Sequence, residues 1–165
     1  MTSQKDRMKE MQEQDRRIQN NLKKITNRAV VFSGKGGVGK TTVAVNLAYA
    51  LLKRSLTVGL LDADITGPNV TKMTGLTGLP DSNPKTKLIT PQEMEGLKVI
   101  SIAPMLPDNQ PVIWRGPLRS GAITQFIADV VWGNLDWMLA DLPPGTGDEV
   151  LTAAQKMSPQ LAVVV

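Results

Sequence analysis

The sequence predicts an α/β fold built on a doubly wound, mostly parallel sheet. Three observations carry that expectation. Short apolar runs alternate with helix-forming stretches from residue 29 onward. The runs are continuously apolar, as in strands covered on both faces. Gly-rich or acidic residues punctuate their C-terminal ends. The chain has 165 residues, 41% apolar and 21% charged, with no histidine and no cysteine. That length suits one ordinary domain with a core of its own. The two missing residue types exclude Ser-His and Cys-His nucleophiles, thiol redox centres, disulfides and conventional zinc or iron–sulfur sites within these residues. Chemistry here must rest on carboxylates, lysines, hydroxyls and backbone amides, with room for a hard cation.

Residues 1–28 are polar, free of Gly and Pro and rich in helix formers, so they read as a helical lead-in to a domain over 29–165. Met8, Met11, Ile18, Leu22 and Ile25 fall on a heptad-like seam that Asp15 interrupts. Three roles stay open for it. A solvated helix docked weakly on the domain is favoured by the polar composition. A helix in a dimer or partner contact is the second. An arm on a membrane surface or nucleic acid is the third, and its mixed charges weaken it. From Ala29 the pattern changes. Residues 29–33 read as a buried strand ending in a Gly-rich turn, and 40–54 as a helix with Lys53 and Arg54 near its C-terminus. Residues 56–61 form a second strand closed by Asp62-Ala63-Asp64, and a Gly/Pro-punctuated stretch runs through Pro91. Residues 97–102 read as a third strand, 117–132 as a helix, 135–142 as a fourth strand, 147–157 as a helix and 161–165 as a fifth strand. The chain stops inside this most β-prone run, which reads as the N-terminal part of a longer protein, cut at its last strand.

The net charge of +4 suggests nucleic acid at first sight. Residues 1–28 hold eight of the nineteen bases and four of the fifteen acids, so the whole excess belongs to them and 29–165 is neutral. Nucleic acid is therefore not expected as a partner. No segment is long and apolar enough to span a membrane, and residues 1–28 lack the apolar stretch of a signal peptide, so a cytoplasmic location is the default.

Gly34-Lys35-Gly36-Gly37-Val38-Gly39-Lys40-Thr41 satisfies G-x-x-x-x-G-K-[ST], the P-loop, and sits between a predicted strand and a predicted helix as that motif requires. The fold class is thus sharpened to a sheet of P-loop NTPase type. The glycines let consecutive N–H groups, through Thr42, wrap a phosphate chain, and the helix that follows aims its positive end at the same anion. Lys40 is expected at the β- and γ-phosphates of ATP and the Thr41 hydroxyl on Mg²⁺. Asp62, Asp64 and Asp141 stand at strand C-termini, where open α/β sheets bind ligands. Asp141 is expected to hold Mg²⁺ through a water, Asp62 to support the outer shell of the metal, and Asp64 to orient the attacking water. Residues 142–147, with two prolines followed by Gly-Thr-Gly, suit a switch loop.

The early lysine in K-G-G-V-G-K-T resembles the deviant Walker A motif of the MinD/ParA/nitrogenase-iron-protein class of ATPases. That resemblance implies that Lys35 reaches across a face-to-face homodimer to the nucleotide of the partner, as an arginine finger does elsewhere. Ser33 to Thr42 with Asn46-Leu47-Ala48, Asp62-Ala63-Asp64-Ile65-Thr66-Gly67-Pro68-Asn69, Trp114-Arg115-Gly116-Pro117 and Asp141 to Glu149 together resemble the Mrp/ApbC family of iron–sulfur cluster carrier ATPases. The resemblance spans about 28–165 and implies a slowly hydrolysing, dimerising ATPase that delivers clusters to apo iron–sulfur proteins. It departs at Thr66 and Asn69, where the family commonly has an aromatic residue and a serine. The C-x-x-C that binds a 4Fe-4S cluster in this family has no counterpart here, so the cluster is implied only for a full-length form. A ParA/MinD-like positioning ATPase acting on DNA or membrane is the alternative.

Overall fold

The computed structural model describes residues 4–64, 69–101 and 116–165. They run α1 (Gln4–Leu22), β1 (Ile25–Phe32), α2 (Lys40–Leu52), β2 (Val58–Asp62), α3 (Val70–Thr74), β3 (Gln92–Met94), β4 (Leu97–Ser101), α4 (Gly116–Asp129), β5 (Leu135–Asp141), α5 (Asp148–Met157) and β6 (Leu161–Val164). The six strands form one sheet in the order β3-β4-β2-β5-β1-β6, parallel throughout except for β3. The doubly wound α/β expectation therefore holds. β1 and β2 flank β5, so the crossover through α2 steps over a strand that arrives much later in the chain.

Both faces of the central strands are covered, whereas the edge strand β6 stays largely exposed, and alternate residues of a strand go to opposite sides. Ala29, Val31, Val58, Leu60, Val99 and Leu139 pack with Ala44, Val45 and Ala48 of α2 and Val70 of α3. Val30, Leu61, Ile100, Met138 and Ala140 pack with Ile123, Phe126 and Ile127 of α4 and Ala153 and Met157 of α5. Small residues on α2 let its axis approach the sheet closely, which fixes where its first turn lies. Gly59 is required inside β2, because a Cβ there would lie 2.7 Å from Leu135 Cδ1 and 2.9 Å from Trp132 Cε3.

Two expectations change. β1 starts at Ile25, four residues before the apolar run, because Thr26, Asn27 and Arg28 find polar partners in the strand. Asn27 Nδ2 donates to Asp136 O at 3.0 Å, and the Arg28 amide donates to Gln160 Oε1 at 2.8 Å. The helix before it is not a weakly docked lead-in either. Ile18 and Leu22 enter the same core as α4 and α5, whereas Met8 and Met11, on the first half of the seam, stay exposed. Asn21 Nδ2 fans across the carbonyls of Ile127, Ala128 and Val130 at 3.0, 2.9 and 3.1 Å, capping the last turn of α4 and the residue that follows it. Arg17 pairs with Asp129 at 2.9 Å and Asp15 with Lys156 at 2.6 Å, tying α1 to the last turns of α4 and α5. The stretch through Pro91 also contains the short α3, and β3 pairs with β4 just beyond it.

If α1 belongs to the core, Ile18→Ala will lower unfolding stability by about 3 kcal/mol, as large-to-small core changes do. Met11→Ala should stay within about 0.5 kcal/mol, as exposed changes do. Urea titrations of both variants check this, and an unchanged midpoint for Ile18→Ala would contradict it.

Candidate functional site

Register brings the strand ends into one row. Ser101 of β4 is opposite Asp62 of β2, Asp62 is opposite Asp141 of β5, and Asp141 is opposite Val31 of β1. Two residues beyond that row β1 gives way to the P-loop at Ser33, and the loop delivers Lys40 as the first residue of α2. Gly37 and Gly39 have φ of 77° and 92°, a left-handed backbone that side chains other than glycine adopt only with strain. Ser33 Oγ donates to Lys35 O at 2.9 Å, bracing the start of the loop.

Asp141 is fully buried and meets the P-loop directly. Lys40 Nζ donates to its Oδ1 at 2.5 Å, and Thr41 Oγ1 donates to its Oδ2 at 2.6 Å. Asp64 Oδ2 lies 3.6 Å from Lys40 Nζ, so Lys40, the one buried lysine among the described residues, is shared between two carboxylates. Burial raises the pKa of Asp141, and the hydrogen bonds from Lys40 and Thr41 oppose that rise. Asp62 sits behind this pair, accepting from Ser101 Oγ at 2.9 Å and from the Asp64 amide at 3.1 Å. Desolvation pushes its pKa up to about 7; the carboxylates of Asp141 and Asp64 add to the rise, and the two hydrogen bonds restrain it.

The 142–147 loop closes over the P-loop. Leu142 N donates to Val31 O at 3.0 Å and Gly145 N to Ser33 O at 2.8 Å, with Gly145 at a φ of 97°. A cleft of about 530 Å³ opens between these elements, and Gly36, Gly37, Gly39, Lys40, Thr41 and Thr42 form its P-loop side. Asp64 and Pro144 also line it. Gly34, Lys35 and Val38 are not in that wall, and Lys35 is exposed. Asn69, Lys72 and Met73 complete the lining. Sequence reasoning missed a site role for these three. The available signal was that the chain leaving β2 after Asp64 must pass the carboxyl edge of the sheet, where ligands bind. Ile65 to Pro68, Trp114 and Arg115 lie outside the described residues.

Backbone amides around a glycine loop at a helix N-terminus favour a phosphate. The Thr41 hydroxyl and the Asp141 carboxylate are hard oxygen donors. Among the described residues no three His, Cys, Asp or Glu side chains converge to hold an ion by themselves. The set therefore fits Mg²⁺ shared with phosphate oxygens and waters, its usual mode, rather than an all-protein cage.

Asp62 also makes the fold sensitive to pH. An acid whose folded pKa lies above its unfolded value binds its proton more tightly when folded. Its contribution is whole below pH 3.8 and is lost as the pH rises through 7. The melting temperature of the nucleotide-free chain should therefore fall between about pH 5 and about pH 8, and Asp62→Asn should reduce that slope. Equal slopes in calorimetric scans of the two proteins would contradict this.

Comparison with known proteins agrees with the geometry. Residues 24–165 match the family model described as ParA: NUBPL iron-transfer P-loop NTPase. The iron–sulfur cluster carrier protein of Methanocaldococcus jannaschii is 50% identical over 153 residues, covering 92% of this chain and 53% of that protein. The chain thus spans about half the length of the curated relatives it matches. The nucleotide-binding protein of Archaeoglobus fulgidus, solved with ADP, superposes with a TM-score of 0.79 at 41% identity, covering 92% of this chain and 58% of that one. The septum site-determining protein MinD of Pyrococcus horikoshii, solved with Mg-ADP, gives 0.61 at 25% identity, covering 85% and 57%. The P-loop, the row of strand-end aspartates and these matches converge: the chain belongs to the NUBPL-type iron-transfer P-loop NTPases of the ParA group, together with the iron–sulfur cluster carrier proteins.

Proposed function

We propose that this chain binds Mg-ATP and hydrolyses it slowly, as the nucleotide-binding part of an iron–sulfur cluster carrier. The observation that carries the reading is the single buried carboxylate of Asp141 gripping both Lys40 and Thr41 at the start of α2. The P-loop amides on the cleft wall, those of Gly36, Gly37 and Gly39 to Thr42, would hold the α- and β-phosphates, and Lys40 would span the β- and γ-phosphates. Thr41 and, through a water, Asp141 would hold Mg²⁺, with Asp62 behind, and the ion would supply charge neutralisation to the phosphates. Asp64 accepts a hydrogen bond from the attacking water and orients it. That water bonds to the γ-phosphorus as the bond to the β–γ bridging oxygen breaks, giving ADP and phosphate. Lys35 is exposed and stands outside its own cleft, which supports a role in trans across a nucleotide-driven homodimer. The Pro144–Gly145 loop, tied to Ser33, transmits the state of the cleft to α5. This chain has no cysteine, so the cluster cargo and the apo-proteins that receive it are assigned to the full-length carrier and not to residues present here. Action in the cytoplasm follows as part of the same reading.

Isothermal titration and phosphate release test these roles. Lys40→Ala should weaken ATP binding by about a hundredfold or more, because it removes the charge-assisted contact to two phosphates. Undiminished binding and turnover there would overturn the ATPase reading. Lys35→Ala should leave binding within about twofold and lower turnover by about a hundredfold, the lower side of arginine-finger effects. Unchanged turnover would remove the role in trans.

A further inference from the structure

Ser33, the first residue after β1, is fully buried and lines the cleft. Its two oxygens serve different parts of the site. The carbonyl accepts from Gly145 N of the 142–147 loop at 2.8 Å, and the hydroxyl donates to Lys35 O at 2.9 Å. Among the described residues no other side chain bonds to that carbonyl. The two residues that share the Lys35–Gly36 peptide then part company. Lys35 is exposed and outside the cleft wall, whereas Gly36 belongs to the wall.

A trans peptide is flat, with its C=O and N–H pointing in opposite directions. Holding Lys35 O against the Ser33 hydroxyl therefore turns Gly36 N–H away from Ser33, and it sets how the chain leaves the Lys35 Cα. A flip of this peptide would reverse both groups. The flip changes only ψ of Lys35 and φ of Gly36, and glycine accepts positive and negative φ alike. Packing gives the loop little support, since Cβ atoms at Gly34 and Gly37 would meet nothing within 4 Å. We propose that Ser33 is a positioning residue for Lys35. Its hydroxyl holds the Lys35–Gly36 peptide so that Gly36 N–H is left to the phosphates and the Lys35 side chain stays clear of its own cleft, directed to the nucleotide of a second copy of the chain. The inference rests on the reading of Lys35 in trans given above. Because the Ser33 carbonyl takes the Gly145 amide, the loop before α5 and Lys35 are seated on the same buried residue.

ADP titration and phosphate release from ATP, for wild type, Ser33→Ala, Lys35→Ala and the double variant, test it. Ser33→Ala should lower turnover by about tenfold, the range of one lost hydrogen bond that positions a reacting group, and change ADP affinity by less than about threefold. In the Lys35→Ala background the same substitution should lower turnover by less than about twofold, because the group it positions is gone. A tenfold loss in both backgrounds would overturn the assignment. So would matching losses of ADP affinity and turnover, which a merely structural serine would give. If Lys35→Ala lowers turnover and Ser33→Ala does not, the trans reading stands and the Ser33 inference falls. If Lys35→Ala turns over as wild type does, or wild type releases no phosphate, both fall.

Discussion

The contact on which the site depends is the pairing of Asp141 with Lys40 and Thr41. A carboxylate with no solvent exposure at the end of an interior strand is costly to bury, by several kcal/mol unless its charge is met. Here it is met from one direction, by two consecutive residues at the start of α2. That pairing locks the end of β5 to the first turn of α2, and therefore fixes the P-loop between them. It also sets the chemistry. The same three side chains that stabilise one another are those that phosphate and a hard cation would compete for, so ligand binding exchanges partners inside an already assembled site instead of building one.

The rest of the sheet supports this contact by register. β2 places Asp62 beside Asp141, and β4 places Ser101 beside Asp62 to donate to it. The small residues Ala44 and Ala48 hold α2 against one face, while α1, α4 and α5 cover the other. The buried row leaves Asp62 poised near neutrality, and the Gly145 to Ser33 hydrogen bond joins the loop before α5 to the P-loop. α1 grips the far ends of α4 and α5 through Asn21, Arg17 and Asp15, so the N-terminal helix is bound to the helix that follows the 142–147 loop.

What was legible in the sequence was what repeats or what is chemically narrow. Strands buried on both faces show as apolar runs, and the P-loop and the strand-end aspartates announce themselves by residue type and position. What was hidden depended on partners distant in sequence. Thr26, Asn27 and Arg28 read as the end of a helical lead-in until Asp136 and Gln160 arrive to bond them. Ile18 and Leu22 look like half of a solvated seam until α4 and α5 provide a surface. α3 spans only Val70–Thr74 and has no periodicity to display, so Lys72 was invisible as a site residue although it lies eight positions after Asp64.

If Asp141 couples Lys40 and Thr41 to a shared Mg²⁺, its charge is what makes nucleotide affinity depend on the metal. The direct measurement is ADP affinity by titration with and without Mg²⁺, for wild type and Asp141→Asn. Wild type should bind several-fold more tightly with Mg²⁺, and Asp141→Asn should lose that dependence while keeping metal-free affinity, since Lys40 is released from its carboxylate. A variant that still tightens with Mg²⁺ as wild type does would contradict the central place given to Asp141.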